Sequence, residues 1–488
     1  MSLLDDTIVA ISTPLGFSGL GIVRLSGKDS FKIAEEIFVP KNKSKILSHL
    51  KTFTTHLGYI VEDGKVIDEV LVTIMRAPHS YTCEDVVEFS CHGGVWVLKK
   101  VLELCVKKGA RIAEPGEFTK RAFLNGRIDL TQAEAVCDLI FSQSEIQNQI
   151  FVNSLLGKTK QNIQKIIKDI EEIMAVINLG IEYPQEDDSQ NIDYLCVSRD
   201  IMRVKEEISV LIENSKKITP ILTGINLAIV GKVNVGKSSL LNMLLSYDRA
   251  IVSEIPGTTR DTISETINLN GLPIRIVDTA GIRQHQQDII EKIGMERTKD
   301  AIKQADIILF VLDGSIEIDE NDFLVAEFIS EEVKKVNNKI VLLVINKNDK
   351  PLKIFDNFNK FKDLYKKVFF RDIKDPTEIN KEAVFISCLR KEGIRDLQQK
   401  ISDIFDISKK LNTQDVNEGV FVTNLRQLDI LEKVYLYVSN SLTKELPKEA
   451  EIVAEDLRNA LVELKKIIGI DITEDVLEII FSRFCVGK

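Results

Sequence analysis

The sequence has no excess of basic residues, no long apolar run and no low-complexity tract. Its 74 Asp and Glu residues outnumber 64 Lys and Arg residues, which gives a formal net charge of −10. This balance argues against a protein that binds nucleic acid through bulk positive charge, although it is compatible with a local basic patch. The longest apolar runs, Ile307 to Leu312 and Ile340 to Ile345, are far shorter than the roughly 18 residues of a membrane-spanning helix. We therefore expect no membrane span.

Paired cysteine motifs are also absent. The seven cysteines are dispersed without any C-x-x-C pair, and there are only five histidines. An odd, scattered set favours reduced thiols over a disulfide framework, and this pattern does not indicate a zinc site. The first residues, MSLLDD, are acidic where a secretory signal peptide is basic. We therefore expect a cytoplasmic protein.

The order of predicted elements begins with an α+β segment and continues with helices. The 488 residues suffice for two to four domains of about 150 residues. Residues 1–116 mix short β-rich runs with one helix, Val95 to Lys107, and predict an α+β domain. Residues 117–220 predict helices, in which Thr131 and Glu134 have the spacing of a capping box. Six isoleucines there repeat as one buried helical stripe: Ile163, Ile166, Ile167, Ile170, Ile173 and Ile177.

In the second half of the chain the predicted secondary structure changes twice. Residues 221–408 alternate buried-type strands with helical segments, which predicts a doubly wound, mostly parallel sheet. Residues 409–488 are again predicted to be helical. Helices on both sides of a compact α/β unit suggest that this unit is inserted into one helical domain whose two halves pack together. Two separate helical domains are the alternative that the sequence leaves open.

A phosphate-binding loop is predicted between an apolar strand and a helix. The segment Gly231 to Ser238, GKVNVGKS, fits the P-loop pattern G-x-x-x-x-G-K-[ST], whose backbone N–H groups surround phosphates at a helix N-terminus. Lys237 is expected to reach the β- and γ-phosphates, and the Ser238 hydroxyl is expected to bind Mg²⁺. The nucleotide-binding residues predicted here are Asn234, Val235, Gly236, Lys237, Ser238 and Ser239.

Three further motifs follow in the order found in GTPases. A D-x-x-G motif from Asp278 would approach Mg²⁺ and the γ-phosphate, and Asp349 could accept both the ring N–H and the exocyclic amine of guanine. A third segment, after the last predicted strand, would close over the base. The order identifies a GTPase rather than an ATPase. The residues concerned are Asp278, Thr279, Ala280, Gly281, Asn346, Lys347, Asp349, Ser387, Cys388 and Leu389.

The groups that assist hydrolysis are less evident from the sequence. Thr259 is expected to bind Mg²⁺ from a loop that orders on the γ-phosphate and so acts as a switch; a plain Gly-Thr turn is the alternative. Ile282 stands where Ras-like enzymes carry a water-orienting Gln, so another group must position the water. Glu291 is a candidate, with a solvated glutamate at a helix start as the alternative. Asn234 could offer its side-chain oxygen to a monovalent cation near the phosphates.

Taken together, these motifs resemble one family: the bacterial and organellar tRNA modification GTPases called MnmE or TrmE. The likeness covers essentially the full length of the chain. Beyond the GTPase motifs it depends on segments that are not general nucleotide motifs. They are GIVRLSG from Gly21, YTCEDVVE from Tyr81, HGG from His92, PGEFT from Pro115, RAFLNG from Arg121 and the terminal FCVGK from Phe484.

The resemblance implies an architecture and three ligand sites. Residues 1–116 would form a folate-binding and dimerisation domain, and the GTPase domain would be inserted into the helical domain. The family implies GTPase domains that pair across a homodimer around K⁺, with Glu291 positioning water. The implied K⁺ ligands are Asn234, Ser253, Ile255 and Thr258, of which Ser253 and Thr258 also border the GTP site. The implied folate residues are Arg24, Glu88, Arg127 and Lys488.

The chemistry of the implied folate residues suits that ligand. Glu88 can pair with the donor edge of a pterin, although a surface strand residue is the plain alternative. The three cations suit a glutamate tail. Cys485 near the carboxyl terminus either packs or acts near the reacting carbon, so Glu291, Lys237 and Cys485 are the candidate catalytic residues.

The resemblance also implies a reaction. GTP hydrolysis would time the transfer of a carbon from 5-formyl- or methylene-tetrahydrofolate to C5 of a tRNA wobble uridine, giving aminomethyl or carboxymethylaminomethyl products. An FAD-binding flavoprotein of the MnmG or GidA family would take part as a heterotetramer. This chain carries no dinucleotide fingerprint, since Arg24 stands where Gly19-Leu20-Gly21 would need a third glycine. A ribosome-assembly GTPase of the Era or EngA type is the alternative, but those proteins carry a KH module after the GTPase domain, and the carboxyl segment here has no G-x-x-G loop.

Overall fold

A computed structural model describes the chain in a series of ranges, and every structural statement below concerns those residues. The ranges are 6–42, 46–183, 192–247, 265–269, 272–277, 299–335, 339–373, 375, 378–379, 382–405 and 419–488. The chain divides into two compact units. The first unit consists of Met1–Phe141, Ile150–Ser215 and Val420–Lys488, and the second of Ser142–Gln149 and Lys216–Gly419.

The first unit contains a sheet with seven strands among the described residues. The strands are β1 (Ile8–Ile11), β2 (Ser18–Ser26), β3 (Phe38–Pro40), β4 (Thr54–Glu62), β5 (Lys65–Met75), β6 (Val86–Gly93) and β7 (Arg111–Ile112), in the order β3-β4-β5-β6-β2-β1-β7. Only β1 and β7 pair in parallel. Helices α1 (Ser30–Ile37) and α2 (Val95–Lys107) contribute to its core. Along β6, Phe89 and Cys91 are buried whereas Glu88 and Ser90 are partly exposed, as strand alternation predicts.

Helices follow this sheet, and one sequence prediction about them is wrong. They are α3 (Glu117–Leu124), α4 (Leu130–Phe141), α5 (Glu145–Leu155), α6 (Lys158–Glu182) and α7 (Tyr194–Thr223). The isoleucine stripe on α6 is confirmed, since all six side chains are buried. The predicted capping box is not formed, because Asp129 caps α4 by accepting N–H bonds from Thr131 at 2.8 Å and Gln132 at 3.2 Å. Thr131 therefore lies inside the helix, and Glu134 binds Arg426 instead.

The second unit contains a mixed sheet with six strands among the described residues. Its elements are β8 (Ile225–Val230), α8 (Lys237–Tyr247), β9 (Glu265–Leu269), β10 (Leu272–Val277), β11 (Ile307–Asp313), α9 (Glu320–Lys335), β12 (Ile340–Asn346), α10 (Phe358–Phe369), β13 (Val384–Phe385) and α11 (Ile394–Phe405). The strand order is β13-β12-β11-β8-β10-β9, and only β9 runs antiparallel to its neighbour. The predicted mostly parallel sheet is therefore present. The carboxyl ends of its parallel strands lie at one edge, where ligands bind in such folds.

The chain returns to the first unit with helices α12 (Leu425–Ser441), α13 (Ala450–Ile467) and α14 (Glu474–Phe481). Ile166 and Ile170 of α6 share one buried cluster with Leu431 of α12 and Leu457 of α13. The helices on the two sides of the second unit thus have a common core, which is what an inserted unit requires. The boundaries at 116, 220 and 408 stay predictions. Within the described ranges, every helix is too short or too polar to cross a bilayer.

Candidate functional site

The P-loop joins β8 to α8 in the second unit. Helix α8 begins at Lys237, so residues 231–236 form the turn at its N-terminus, where anions are favoured. Lys237 Nζ donates to the carbonyl oxygens of Gly231 at 2.7 Å and Lys232 at 2.6 Å. Burial lowers the pKa of Lys237. Its ammonium group is thus held by neutral carbonyls, in a setting where a phosphate anion would favour the charged form.

The loop conformation depends on residues that accept a positive φ. Gly236 has φ +100°, and a Cβ at this position would collide with the Asn346 side chain. Asn234 has φ 61°, a conformation that asparagine tolerates better than most residues. The exposed Asn234 also receives a hydrogen bond at its carbonyl oxygen from Lys347 Nζ at 3.1 Å.

Asn346 connects the P-loop to the loop after β13. It lies at the end of β12 and is 2% exposed. Its Nδ2 donates to the Val235 carbonyl at 2.7 Å, and its Oδ1 accepts from the Cys388 backbone N–H at 3.2 Å. Both ends of one buried amide are satisfied, so the phosphate loop and the loop predicted to cover the base are held together.

The predicted base-recognition residues are also brought together. Ser387 Oγ donates to Asp349 Oδ1 at 2.5 Å, and this hydrogen bond lowers the pKa of Asp349. The ionised carboxylate that guanine recognition needs is therefore favoured. Burial raises the pKa of the Cys388 thiol to about 11, while Leu389 is 83% exposed. Lys347 Nζ binds Asp313 Oδ2 at 2.5 Å.

Part of the predicted GTP site lies outside the described residues. Ser238 and Ser239 are described and lie in the first turn of α8, where both are exposed. The predicted loop and switch residues are not among the described ranges: Ser253, Ile255, Thr258, Thr259, Asp278, Thr279, Ala280, Gly281 and Glu291. Their roles stay predictions.

A second candidate site lies in the first unit around Arg24. Arg24 and Glu88 face each other across β2 and β6, and Arg24 Nε donates to Glu88 Oε1 at 2.6 Å. The Arg24 guanidinium also donates to the Gly487 carbonyl at 3.2 Å and lies 5.5 Å from the ring centre of Phe118. The carboxyl-terminal segment therefore reaches the sheet beside this pair. Gly487 has φ +91°, and a Cβ there would collide with the backbone of Ile11.

Arg127 lies in the same unit against Tyr81. Its guanidinium donates to the Tyr81 carbonyl at 2.9 Å and lies 4.8 Å from the centre of that ring. Burial raises the pKa of Tyr81, whereas Thr119, Arg127 and Arg24 act in the opposite direction. Two of the three predicted cations, Arg24 and Arg127, thus act on the phenol of Tyr81. Lys488 is half-buried, one residue beyond the carbonyl that Arg24 binds.

Cys485 contributes its backbone to this region. Its carbonyl accepts N–H bonds from Gly116 at 3.4 Å and Lys488 at 3.3 Å. Burial raises the pKa of the neighbouring Cys137 to about 12, with further contributions from Asp138 and Cys485. The backbone of Cys485 thus has a packing role, and a chemical role for its thiol stays a prediction.

Sequence reasoning missed one set of residues at the GTP site. Lys232 Nζ binds Asp319 Oδ2 at 2.7 Å and Asp322 Oδ2 at 2.8 Å. The partners are 87 and 90 residues away in sequence. No local pattern connects them. The only sequence signal was the pair of aspartates at the start of a predicted helix that follows a buried strand.

Comparison with known proteins identifies the family. The family described as "GTP-binding protein TrmE N-terminus" matches residues 7–127, and the "MnmE helical domain" family matches residues 130–485. The tRNA modification GTPase MnmE of Carboxydothermus hydrogenoformans is 43% identical over 491 residues, covering 100% of both chains. This chain belongs to the MnmE family. The predicted resemblance is confirmed, and so is the predicted enzyme class, a GTP hydrolase.

Other similar proteins agree with membership of the MnmE family. The tRNA modification GTPase MnmE of Clostridioides difficile is 41% identical over 486 residues, covering 99% of this chain and 100% of that relative. Among solved structures, a variant of Era from Aquifex aeolicus bound to GDP and AlF4⁻ is 28% identical and covers 46% of this chain and 68% of its own. Its TM-score is 0.26.

Proposed function

We propose that this protein is a potassium-activated GTPase that acts with an FAD-dependent partner to modify C5 of a tRNA wobble uridine, using a one-carbon unit from tetrahydrofolate. Membership of the MnmE family supports the coarse part of this statement. The observation that carries the GTPase part is the double hydrogen bond of Asn346. It ties the P-loop to the loop that contains Ser387, beside the Asp349 carboxylate.

On GTP binding, Lys237 exchanges neutral hydrogen-bond partners for charged phosphates. The Lys237 ammonium group gives up two neutral carbonyls and meets the β- and γ-phosphates, which reverses the effect of burial on its pKa. Asp349 accepts two N–H groups from guanine, and Ser387 orients it by binding Oδ1. Adenine lacks this pair of donors, so the site selects GTP.

The described residues fit Mg²⁺ and K⁺ as partners of the phosphates. Ser238 is exposed in the first turn after the P-loop, and its hydroxyl is a hard oxygen donor of the kind Mg²⁺ prefers; Thr259 is the proposed second hydroxyl. Asn234 is exposed in the loop itself and offers its side-chain amide oxygen to K⁺. Potassium supplies positive charge beside the phosphates, as an arginine finger does elsewhere. Ser253, Ile255 and Thr258 complete the proposed K⁺ site.

Water attack is assigned to Glu291. The position after the D-x-x-G motif is Ile282, whose side chain can neither donate nor accept a hydrogen bond. A carboxylate can accept a proton from a water molecule and orient the lone pair of that water toward the γ-phosphate. Glu291 therefore takes the part that a glutamine has in Ras-like enzymes.

The residues around Arg24 fit a folate. The Glu88 carboxylate suits the donor edge of a pterin, and the Arg24 guanidinium fixes it through Oε1. Arg127 and Lys488 offer positive charge to the glutamate tail. The bound tetrahydrofolate supplies the one-carbon unit. The chain acts as a homodimer that assembles with the flavoprotein as a heterotetramer, and tRNA is the substrate.

The deciding experiment is GTP turnover by the purified full-length protein in KCl and in NaCl. We expect K⁺ to raise the rate by about tenfold or more, since stabilising charge at the phosphates is a large catalytic term. Asn234→Ala should lose the K⁺ stimulation and keep the Na⁺ rate. Glu291→Ala should lose hydrolysis and keep nucleotide binding. Equal rates in both salts would contradict cation activation.

The tRNA part is tested separately with the flavoprotein, folate and unmodified tRNA. We expect a modified wobble uridine only when GTP and both proteins are present. A deletion strain with normal wobble uridine and a ribosome-assembly defect would contradict this part and favour the assembly GTPase.

A further inference from the structure

Lys232 anchors the P-loop to the start of helix α9. Its Nζ binds Asp319 Oδ2 at 2.7 Å and Asp322 Oδ2 at 2.8 Å. The side chains of Lys232 and Asp322 are 8% and 3% exposed, whereas that of Asp319 is 49% exposed. Burial by itself lowers the pKa of Lys232, but hydrogen bonds to both carboxylates outweigh it and raise the pKa overall. The group is therefore a charged ammonium largely shielded from water.

The two carboxylates are fixed by the helix that they begin. Asp319 Oδ1 accepts N–H bonds from Asn321 at 3.0 Å and Asp322 at 3.2 Å. Asp322 Oδ2 in turn accepts the Asp319 N–H at 3.1 Å. This reciprocal arrangement has the form of a capping box with two aspartates. The ammonium thus binds oxygens whose positions are set by the backbone of α9.

The backbone of Lys232 contacts the residue that meets the phosphates. Its carbonyl oxygen accepts a hydrogen bond from Lys237 Nζ at 2.6 Å. Lys232 is therefore fixed at both ends, by its side chain to α9 and by its carbonyl to Lys237. The intervening loop includes Asn234 at φ 61°, a sparsely populated conformation for a residue other than glycine, which persists only where the surroundings hold it.

We propose that Lys232 is a positioning residue for nucleotide binding: its ion pairs with Asp319 and Asp322, here called the Lys232 clamp, hold the P-loop in the conformation that receives phosphate. This inference rests on the proposed GTPase function. Without the clamp, only a fraction of molecules carry a competent loop, and the apparent Kd rises by the inverse of that fraction. The nucleotide itself orders the loop once bound, so the clamp acts on binding and leaves the chemical step unchanged.

The test uses the full-length protein with fluorescent GDP and GTP analogues, together with steady-state GTP turnover. Lys232→Met keeps the length of the side chain and removes its charge. If the loop is then competent about a tenth of the time, Kd and KM rise about tenfold, while kcat changes by less than about twofold. Lys232→Arg, which can still bind both carboxylates, restores Kd.

Lys367→Met is the matched control. Lys367 binds Glu327 of the same helix α9 at 3.5 Å, so this variant also removes a lysine paired with α9, at a helical residue outside the P-loop. It should leave Kd unchanged. Asp319→Asn removes the charge of one of the two partners, at a half-exposed position, and should raise Kd by about threefold. Because Asp319→Asn is the milder change, its Kd tests the clamp if Lys232→Met does not fold.

The outcomes are separable. The clamp would be overturned if Lys232→Met bound nucleotide with the wild-type Kd, or if Lys367→Met raised Kd as much as Lys232→Met does. It would also be overturned if Lys232→Met lowered kcat and left KM unchanged. A wild-type protein that neither binds nor hydrolyses GTP would instead overturn the proposed function. A raised Kd and KM in Lys232→Met, restored by arginine and absent from the control, supports the clamp.

Discussion

Asn346 and Val235 are hydrogen-bonded across 111 residues of sequence, with Asn346 Nδ2 2.7 Å from the Val235 carbonyl oxygen. Asn346 is buried, and the adjacent Gly236 leaves no room for a Cβ beside the amide. The same amide accepts the Cys388 N–H. One side chain therefore bonds to both the phosphate loop and the base-recognition loop, so recognition of the base and of the phosphates should weaken together when it changes.

Asn346→Asp tests this connection. The substitution replaces the NH₂ donor with a carboxylate oxygen, which would face the Val235 carbonyl in a buried position. We expect binding of both GTP and GDP to weaken by about 2–3 kcal/mol, the cost of an unsatisfied buried acceptor, as measured by calorimetric titration. Asn348→Asp is the control, because Asn348 is exposed in the same motif and should keep the wild-type affinity. Equal affinity in both variants would contradict the argument.

Removal of one partner of the buried ion pair between Glu134 and Arg426 should strongly destabilise the first unit. Arg426 donates to both carboxylate oxygens at 2.9 Å, and Gln427 donates to one of them at 2.5 Å. The Glu134 side chain is only 9% exposed. Arg426→Met leaves this carboxylate without its cation, so the free energy of unfolding should fall by about 3–5 kcal/mol.

Denaturant unfolding followed by circular dichroism would measure the Arg426→Met change. The control is Arg458→Met, whose partner Glu455 lies 2.6 Å away but whose pair is exposed, with side chains 56% and 58% accessible. Such surface pairs contribute less than about 1 kcal/mol. Similar losses in the two variants would show that burial of Glu134 does not set the cost.

Local patterns predicted the parts of the fold that short-range physics controls. The P-loop is a contiguous turn at a helix start, so the eight residues GKVNVGKS are enough to locate it. The isoleucines of α6 are buried because a helix repeats every 3.6 residues, and Glu88 is partly exposed because a strand alternates. Glycine is a turn signal in a sequence, yet Gly58 lies within strand β4. That glycine is required because a Cβ there would collide with the Phe38 ring.

One local helix cap and the long-range pairings escaped prediction, for different reasons. Asp129 rather than Thr131 caps α4 because the chain enters the helix earlier than the capping-box spacing indicates. The Lys232 clamp depends on two segments that the sheet brings together, and nothing in either segment indicates the other. Tyr81 belongs to the segment YTCEDVVE, but its contact with Arg127 depends on how the residues after α3 pack against the loop before β6.

Glu88→Gln should weaken folate binding and leave the GTPase site unaffected. The substitution keeps the shape of the side chain and removes the charge that pairs with Arg24 and that we propose accepts the donor edge of a pterin. A charged hydrogen bond contributes about 1.5–3 kcal/mol, so the Kd for 5-formyl-tetrahydrofolate should rise by roughly tenfold to a hundredfold. Calorimetric titration of the full-length protein measures it.

Glu69→Gln is the control for Glu88→Gln. Glu69 lies on the neighbouring strand β5, and its side chain is 46% exposed beside Lys41 at 3.6 Å. Removal of this carboxylate should leave folate affinity at the wild-type value. Loss of affinity in both variants would indicate a general charge effect of the sheet, and loss in neither would remove Glu88 from the proposed folate site.

Asp138 on α4 should make the first unit less stable as the pH rises toward neutrality. Burial raises the pKa of its carboxyl to about 7, Glu134 raises it further, and Arg483 opposes the shift. Among the described residues, its Oδ2 atom has no hydrogen-bond partner. The folded state therefore holds the proton more tightly than the unfolded chain. The contribution of this group to the free energy of unfolding is complete below about pH 4 and is lost as the pH rises to about 7.

Asp138→Asn removes that titration, since a carboxamide is neutral throughout. The stability of the variant relative to the wild type should therefore increase between pH 4 and pH 8, by on the order of 4 kcal/mol if Asp138 ionises fully. Urea unfolding at a series of pH values measures this difference. Asp429→Asn, at a carboxylate that is 64% exposed beside Lys433, should show a nearly constant difference. If the free energies of unfolding of Asp138→Asn and of the wild type change in parallel with pH, the carboxyl of Asp138 titrates as it would in water. Its burial would then not destabilise the ionised form.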